Sequence, residues 1–389
     1  MGARPWLILA AVVLARIGFG YQYQTVATLG PDLMGLFRLD YTTLGALIGA
    51  FMLLGGFLAL PLGLLARWLG DRLVLGAGLA LMVVGPAISA AAASPTGIGI
   101  GRGVAGVGAV AMIVLQNKII ADWFTGRRFM WAISVSVAAY SIGVGLAQLI
   151  LPPLALAYGW QAALLSGAAP MAVALVLFLA TFRPSPQVAP MPSRFSLPGG
   201  RECLLLVIAG LIWTAYTAGY SGYTGYVPSL MAARGEGLLL TGLVLTIASW
   251  GNVPATLLGA GLANRVGGFR IFLLGTAALV VGMTGAALLD WPVTFAVVIG
   301  VVGSVHPGVI MAVGTLSARP ENRAVGMGLF YSMYYAGGAV VPALCGWAAD
   351  MTGGAEGALL AAAVVSALAV PMYLLHRRLA AHELMLARA

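Results

Sequence analysis

Long apolar stretches alternate along this chain with short breaks of charge, proline and glycine. Each stretch is about 20 residues long, enough to cross a ~30 Å hydrocarbon core as a helix. Read this way, the pattern predicts six spans at 5–27, 41–64, 73–94, 98–121, 129–152 and 160–182. Six more are predicted at 203–226, 239–262, 271–290, 293–316, 325–349 and 357–376. Between the sets lies a polar stretch carrying Pro184, Pro186, Pro190, Pro192 and Pro198, which reads as a linker. The expected architecture is an all-α membrane protein of twelve transmembrane helices in two pseudo-symmetric halves. Residues 1–182 form one six-helix bundle, 183–202 a cytoplasmic linker, and 203–389 a second bundle with a short tail. Arg4 before the first apolar run imitates a secretory signal, but Arg16 interrupts the run and no small-residue cleavage site follows. That segment is therefore read as an uncleaved first span.

The two sets repeat one another. Pro31-Asp32-Leu33-Met34 after the first span is echoed 197 residues later by Pro228-Ser229-Leu230-Met231. Arg67-Trp68-Leu69-Gly70 corresponds at the same offset to Asn264-Arg265-Val266-Gly267, and Arg127 pairs with Arg323 at 196. Two parallel six-helix repeats with a binding site at their interface, near the bilayer midplane, is a transporter design.

Composition agrees with the spans and removes other classes. Hydrophobic residues make up 61% of the chain and charged residues 8%, against roughly 25% charged in a soluble domain. The net charge of +9 would suggest nucleic acid were it not so unevenly placed. Fifteen arginines fall on the side of the two termini and two, Arg38 and Arg234, on the other. The positive-inside rule then puts both termini in the cytoplasm, and nucleic acid is not needed to explain the charge. Cys203 and Cys345 indicate no disulfide framework. Gly101-x-Gly103-x-x-Gly106 matches a dinucleotide fingerprint only in letters, because it lies inside a span without a βαβ unit. No G-x-S-x-G, H-E-x-x-H, Walker loop or Cys/His ligand cluster is present. Enzyme chemistry and a cofactor are not expected.

With these landmarks the chain resembles the major facilitator superfamily over essentially its whole length. The loop Gly63-Leu64-Leu65-Ala66-Arg67-Trp68-Leu69-Gly70-Asp71-Arg72 is similar to that family's Gly-x-Leu-Ala-Asp-Arg-x-Gly-Arg-Lys loop. The charges depart from it: Arg67 stands in the family's Asp position and Asp71 in an Arg position. An Arg67–Asp71 pair at i,i+4 is still allowed. The family's Asp holds a neighbouring helix end in the closed state, and that role is what the exchange unsettles. Arg102-x-x-x-Gly106-x-Gly108 resembles the fourth-helix motif, and Gly159-Trp160 the turn before the sixth helix. Gly18-Phe19-Gly20-Tyr21-Gln22-Tyr23-Gln24, Asn117-Lys118 and Asp122-Trp123-Phe124 look most like the cyanate-permease and nitroimidazole-transporter branch. The resemblance implies a carrier whose first helix in each half lines a central cavity. It assigns Gly63, Arg67, Gly70, Asp71, Arg72, Arg102 and Gly106 to gating and conformational change.

Of the eleven carboxylates only Asp290, the last residue of span nine, falls within a predicted span, whereas Arg16, Arg102 and Lys118 lie inside theirs. An intramembrane charge is costly and by default marks a pathway or site. Arg16 is mid-span, too deep to snorkel, and its planar fork suits a carboxylate-like anion. A structural arginine capping carbonyls would look the same in sequence. Arg102, one turn into span four, reads as packing or proton relay, with substrate contact as the alternative. Lys118, near the cytoplasmic end of that span, either snorkels to water or meets an anion in an inner vestibule. Trp213, Tyr216, Tyr220 and Tyr223 recur at helical spacing on one face of span seven, with Thr217 beside them. That stripe either cradles a small planar substrate or packs against helices. Tyr23 and Gln24 in span one, Asn252 in span eight, and Tyr331 and Tyr335 in span eleven are further candidate ligands. His306 precedes Pro307 in span ten, where the proline removes a backbone hydrogen bond and predicts a kink. It is the proton-coupling candidate, against a neutral imidazole bonded between helices.

Moving one elementary charge through the membrane potential involves ~2.3 kcal/mol per 100 mV. Uptake of a monovalent anion into a negative interior therefore needs a proton, a counter-anion or a protonated substrate. The expected function is a secondary transporter of a small, planar, monovalent anion or anion-like solute across the cytoplasmic membrane, working as a monomer by alternating access. An exporter of a neutral compound is the alternative within transport. A non-transporting sensor or assembly factor on the same fold is the alternative outside it.

Overall fold

The computed structural model describes residues 4–183, 198–319 and 322–386 of the chain. The linker prolines Pro184, Pro186, Pro190 and Pro192, with Arg194 and Arg388, lie outside the described residues, as do the side chains of Arg127 and Arg323.

Span one is the helix Arg4–Thr28, followed by a short helix, Gly30–Phe37. Span two is built of Tyr41–Gly49 and Gly55–Leu69, span three of Asp71–Ala91 and span four of Pro95–Trp123. Gly126–Ser166 carries span five and, beyond a kink at Gly159 (φ 84), the start of span six, which continues as Ala168–Thr181. The second half follows as Gly200–Ala233, Leu238–Val266 and Gly268–Leu288 for spans seven to nine. Span ten runs from Pro292 to Leu316, span eleven is Arg323–Thr352, and span twelve is Ala355–Ala367 with Ala369–Leu386. The helices overrun the expected spans: span seven, expected at 203–226, begins at Gly200 and ends at Ala233. Hydropathy marks the hydrocarbon boundary, whereas the helix continues until a cap or a glycine stops it.

The repeat recurs in the backbone. Positive φ occurs at Arg38 and Gly235, and again at Gly70 and Gly267, each pair 197 residues apart. Gly159 and Gly353 form a third pair at nearly the same offset. These are the turns that end corresponding helices, and glycine is the residue that enters that region without a Cβ penalty.

Two spans depart from a plain helix. In span two, Met52 N donates to the Gly49 carbonyl (2.9 Å), a tighter i→i+3 turn that takes the Ile48 carbonyl's usual donor away. Span ten contains a π turn over Val298–Val302, where Gly303 N reaches the Val298 carbonyl at 2.7 Å. The chain then breaks and restarts as Pro307–Leu316, with His306 at the cap. The single kink expected at Pro307 is thus a full interruption, because the π turn and the missing proline N–H act on the same stretch.

Each half packs mainly on itself: span one against five and six, three against four, and seven against eleven and twelve. Contact between halves runs chiefly through span two on span eleven and span five on span eight. It concentrates at the end away from the termini. A Cβ at Gly45 would overlap the Pro342 carbonyl, one at Gly49 the Ala339 carbonyl, and one at Gly346 the Tyr41 carbonyl. Asp350 of span eleven caps span two across the interface, accepting from the Tyr41 and Thr42 amides at 2.8 and 2.9 Å and from Thr42 Oγ1 at 2.6 Å. The Tyr226 hydroxyl lies 2.9 Å from the Tyr41 carbonyl and 2.7 Å from that of Pro342. Among the described residues, the hydrogen bond between halves that lies nearest the termini is Ser332 Oγ to the Gly56 carbonyl, 3.3 Å. The structure is closed at the far end.

Candidate functional site

A cavity of about 200 Å³ lies between the halves, lined by spans one and five on one side and seven, eight and eleven on the other. Among the described residues Arg16 is its one charged lining residue, and no carboxylate faces it. The guanidinium sits over the rings of Phe19 and Tyr140, at 4.9 and 5.3 Å to the centroids, a geometry that stabilises a cation through the ring quadrupole. Its Nε and Nη1 have no hydrogen-bond partner among the described residues. A helix-borne arginine kept for structure would have spent those donors on carbonyls.

On the facing wall the helical spacing of span seven places Trp213, Tyr216, Thr217 and Tyr220 against the cavity. Tyr223, one turn farther, is buried in the core of the second half. Thr217 Oγ1 bonds back to the Trp213 carbonyl (2.8 Å). Asn252 enters from span eight, its Nδ2 donating to the Tyr216 hydroxyl (3.1 Å) and its Oδ1 accepting from Thr256 Oγ1 (3.1 Å). Thr256 Oγ1 is also 3.1 Å from the Ser304 carbonyl in the broken part of span ten. Tyr23 and Gln24 line the far end and tie the halves together: Tyr23 bonds Ser221, and Gln24 Nε2 donates to the Thr224 carbonyl at 3.1 Å.

Other candidates lie elsewhere. Tyr335 is buried with its ring against Gly55, and Tyr331 packs edge-on against Phe330 and Tyr334. It is Tyr334 that lines the cavity. A helix turns about 100° per residue, so neighbours in a run of tyrosines cannot share a direction. His306 does not line the cavity either, although Pro307 does. The imidazole is sealed behind the wall, edge-on to Tyr216 (4.9 Å) and Phe272 (5.7 Å), its Nδ1 without a partner.

The two remaining basic residues within spans are engaged. Arg102 donates through Nη1 to the Gln22 carbonyl and Thr25 Oγ1, both 3.2 Å, and through Nη2 to the carbonyls of Tyr23 (3.3 Å) and Ile48 (3.1 Å). The last of these is the carbonyl freed by the tight turn in span two. Gly106, four residues on, lets span four lie against the Phe51 carbonyl. The packing role is the one these bonds support. Lys118 pairs with Asp71 (2.5 Å) and Asp122 (3.1 Å), and its side chain stays partly exposed. Asp71 thus faces Lys118 in place of Arg67, which is exposed at the end of span two. Arg72 donates to the Leu179 carbonyl at 2.8 Å, tying span three to span six. Gly70 supplies the left-handed turn and Gly63 lies loosely against Val114.

Sequence reasoning missed the contribution of span five. Val137, Tyr140, Ser141 and Val144 line the cavity; their i, i+3, i+4, i+7 spacing is that of one helical face, but within an apolar run it gives little signal.

Residues 8–342 match the Major Facilitator Superfamily. The chain belongs to that family. It is a transporter rather than an enzyme, a multi-pass protein of the lipid bilayer that acts on a small molecule. Among curated proteins it is similar to a probable L-galactonate transporter of Escherichia coli K12, 32% identical over 123 residues. That match spans 32% of this chain and 27% of the relative's length. Among solved structures, a bacterial homologue of the human lysosomal transporter Spinster, in an inward-facing and unoccupied conformation, superposes with a TM-score of 0.79 at 16% identity. It covers 97% of this chain and 98% of its own. The nucleoside transporter NupG gives 0.76 at 14% identity, covering 96% and 99%. The xylose transporter XylE of E. coli gives 0.71 at 15%, covering 95% and 96%. At these identities the likeness concerns the fold. The match is to the wider family and does not by itself bear out the cyanate-permease and nitroimidazole-transporter branch.

Proposed function

We propose that the protein is a secondary transporter of a small, planar, monovalent anion, carried by alternating access of its two halves. The observation that supports this most directly is the Arg16 guanidinium: a cation with unused donors in an inter-half cavity that no carboxylate neutralises. A bound anion would complete both its charge and its hydrogen bonds. The aromatic wall of Trp213, Tyr216 and Tyr220 suits a flat solute, and a cavity of about 200 Å³ limits its size. An apolar cavity of about 150 Å³ takes one benzene ring. The name of the E. coli relative denotes a monovalent carboxylate, in keeping with an anion.

The arginine bias places the termini in the cytoplasm, so the open end of the cavity faces inward. A coupled proton would travel on the substrate or on His306, one ring behind the wall at Tyr216. Exchange for a second anion needs neither. The carrier works as a monomer, since both halves of the cavity come from one chain. Flux into proteoliposomes with a panel of small anions tests the reading. Arg16→Ala is expected to weaken anion binding by about 1.5–3 kcal/mol, the worth of a hydrogen bond to a charged group, or roughly ten- to hundredfold. Full uptake by that variant, or no competition by any anion, would sink it.

A further inference from the structure

The anion reading accounts for one pole of the cavity and leaves Asn252 unexplained. A carboxamide has two N–H donors and a carbonyl oxygen with two lone pairs. In Asn252 one donor goes to the Tyr216 hydroxyl and one lone pair to Thr256 Oγ1. Those two contacts hold the amide plane fixed and leave one donor and one acceptor without a partner among the described residues. The single proton of Thr256 Oγ1 is shared between Asn252 Oδ1 and the Ser304 carbonyl in the broken segment of span ten, each 3.1 Å away. The amide therefore belongs to a supported polar network that faces the cavity. Arg16 faces it from the other half.

Resting on the anion reading, we infer that the substrate is a carboxylate that also carries a neutral hydroxyl or amide, held between Arg16 in the first half and the spare donor and acceptor of Asn252 in the second. A hydroxyl both gives and accepts one hydrogen bond, which matches what Asn252 has left. A bare inorganic anion meets only the first pole. A two-ended solute touches both halves at once, so its binding energy is available to draw them together, whereas a one-ended anion stabilises one half alone. The substrate class is thus a hydroxy- or amido-monocarboxylate about one ring in size.

The test uses the full-length protein and four probes: nitrate, benzoate, 4-hydroxybenzoate and L-galactonate. Affinities are read by thermal shift and by competition for uptake. The acid with a distal hydroxyl is expected to bind about tenfold more tightly than benzoate, the worth of one hydrogen bond in a site built for it. Nitrate is expected to be weakest. Asn252→Leu should bring the 4-hydroxybenzoate-to-benzoate ratio close to one while both acids stay dependent on Arg16. Asn252→Ser, smaller and still polar, should give an intermediate ratio and covers the case in which leucine disturbs folding. A ratio near one in the unaltered protein, or a ratio that survives both substitutions, overturns this inference and leaves the anion reading standing. Binding that persists in Arg16→Ala, or no binding by any of the acids, removes the anion reading and this inference with it.

Discussion

Arg16 and Arg102 are both arginines set inside apolar helices of the first half, yet their surroundings are opposite. Arg102 is 4% exposed and spends four hydrogen bonds on spans one and two. Both lie over aromatic rings and leave Nε unbonded among the described residues, but Arg16 faces a cavity and leaves Nη1 unbonded as well. Sequence treats the two alike, because an intramembrane arginine is costly in either case. What separates them is the accounting of donors. A guanidinium whose fork is filled by carbonyls is part of the scaffold, and one left open is available to a ligand.

The largest effect that would break this contrast is at Arg102. Arg102→Ala leaves the Ile48 carbonyl without its donor and removes three further bonds, at about 1–3 kcal/mol for each group left buried and unpaired. A fall in detergent melting temperature together with lost transport is expected; an unchanged melting temperature would show that the clamp is not structural. Arg16→Ala should do the reverse, lowering anion affinity by the ten- to hundredfold given above while the melting temperature holds or rises. Loss of stability there would move Arg16 into the scaffold class.

Asp350 extends the comparison to a carboxylate. It spends its oxygens across the halves on the first turn of span two. Removal of a helix cap costs about 0.5–2 kcal/mol. In Asp350→Ala that cost falls on the form closed at the far end alone, so a cysteine placed at Ser249 in the cavity should label more readily from the side away from the termini. Unchanged labelling would mean that the cap is dispensable to the seal. Lys118 should show the smallest effect. Its pairs with Asp71 and Asp122 are partly solvent-exposed, and such pairs are worth about 0–1 kcal/mol. Lys118→Met is expected to leave anion affinity unchanged and to shift the melting temperature by a few degrees at most; a lost substrate preference would return Lys118 to the list of ligands.

Much of this was legible in the sequence, for identifiable reasons. Membrane spans are legible because the bilayer imposes one length and one polarity on each. The 197-residue offset survives in the turn glycines Gly70 and Gly267, since few other residues tolerate that backbone. The face of span seven was readable because aromatic spacing fixes direction along a single helix. What stayed hidden depends on more than one element. The partners of Lys118 come from span three and from its own helix end. The choice of Tyr334 over Tyr331 and Tyr335 depends on how span eleven is rotated. His306 is polar and mid-span, but whether it meets the cavity was decided by Tyr216 standing in front of it. Tyr140 and Ser141 gave little signal within an apolar run.

The seal at the far end has one consequence for how such a carrier turns over. Around Gly45, Gly49 and Gly346, main chain lies on main chain across the two halves, with no room for even a methyl group between them. Side chains such as Asp350 and Tyr226 brace this seal, but swinging one of them aside leaves the main-chain contacts closed. The seal parts only when two whole helices separate, so slippage of solute or ions should be rare, and the pace of a cycle is set by a rigid-body step rather than by any single residue.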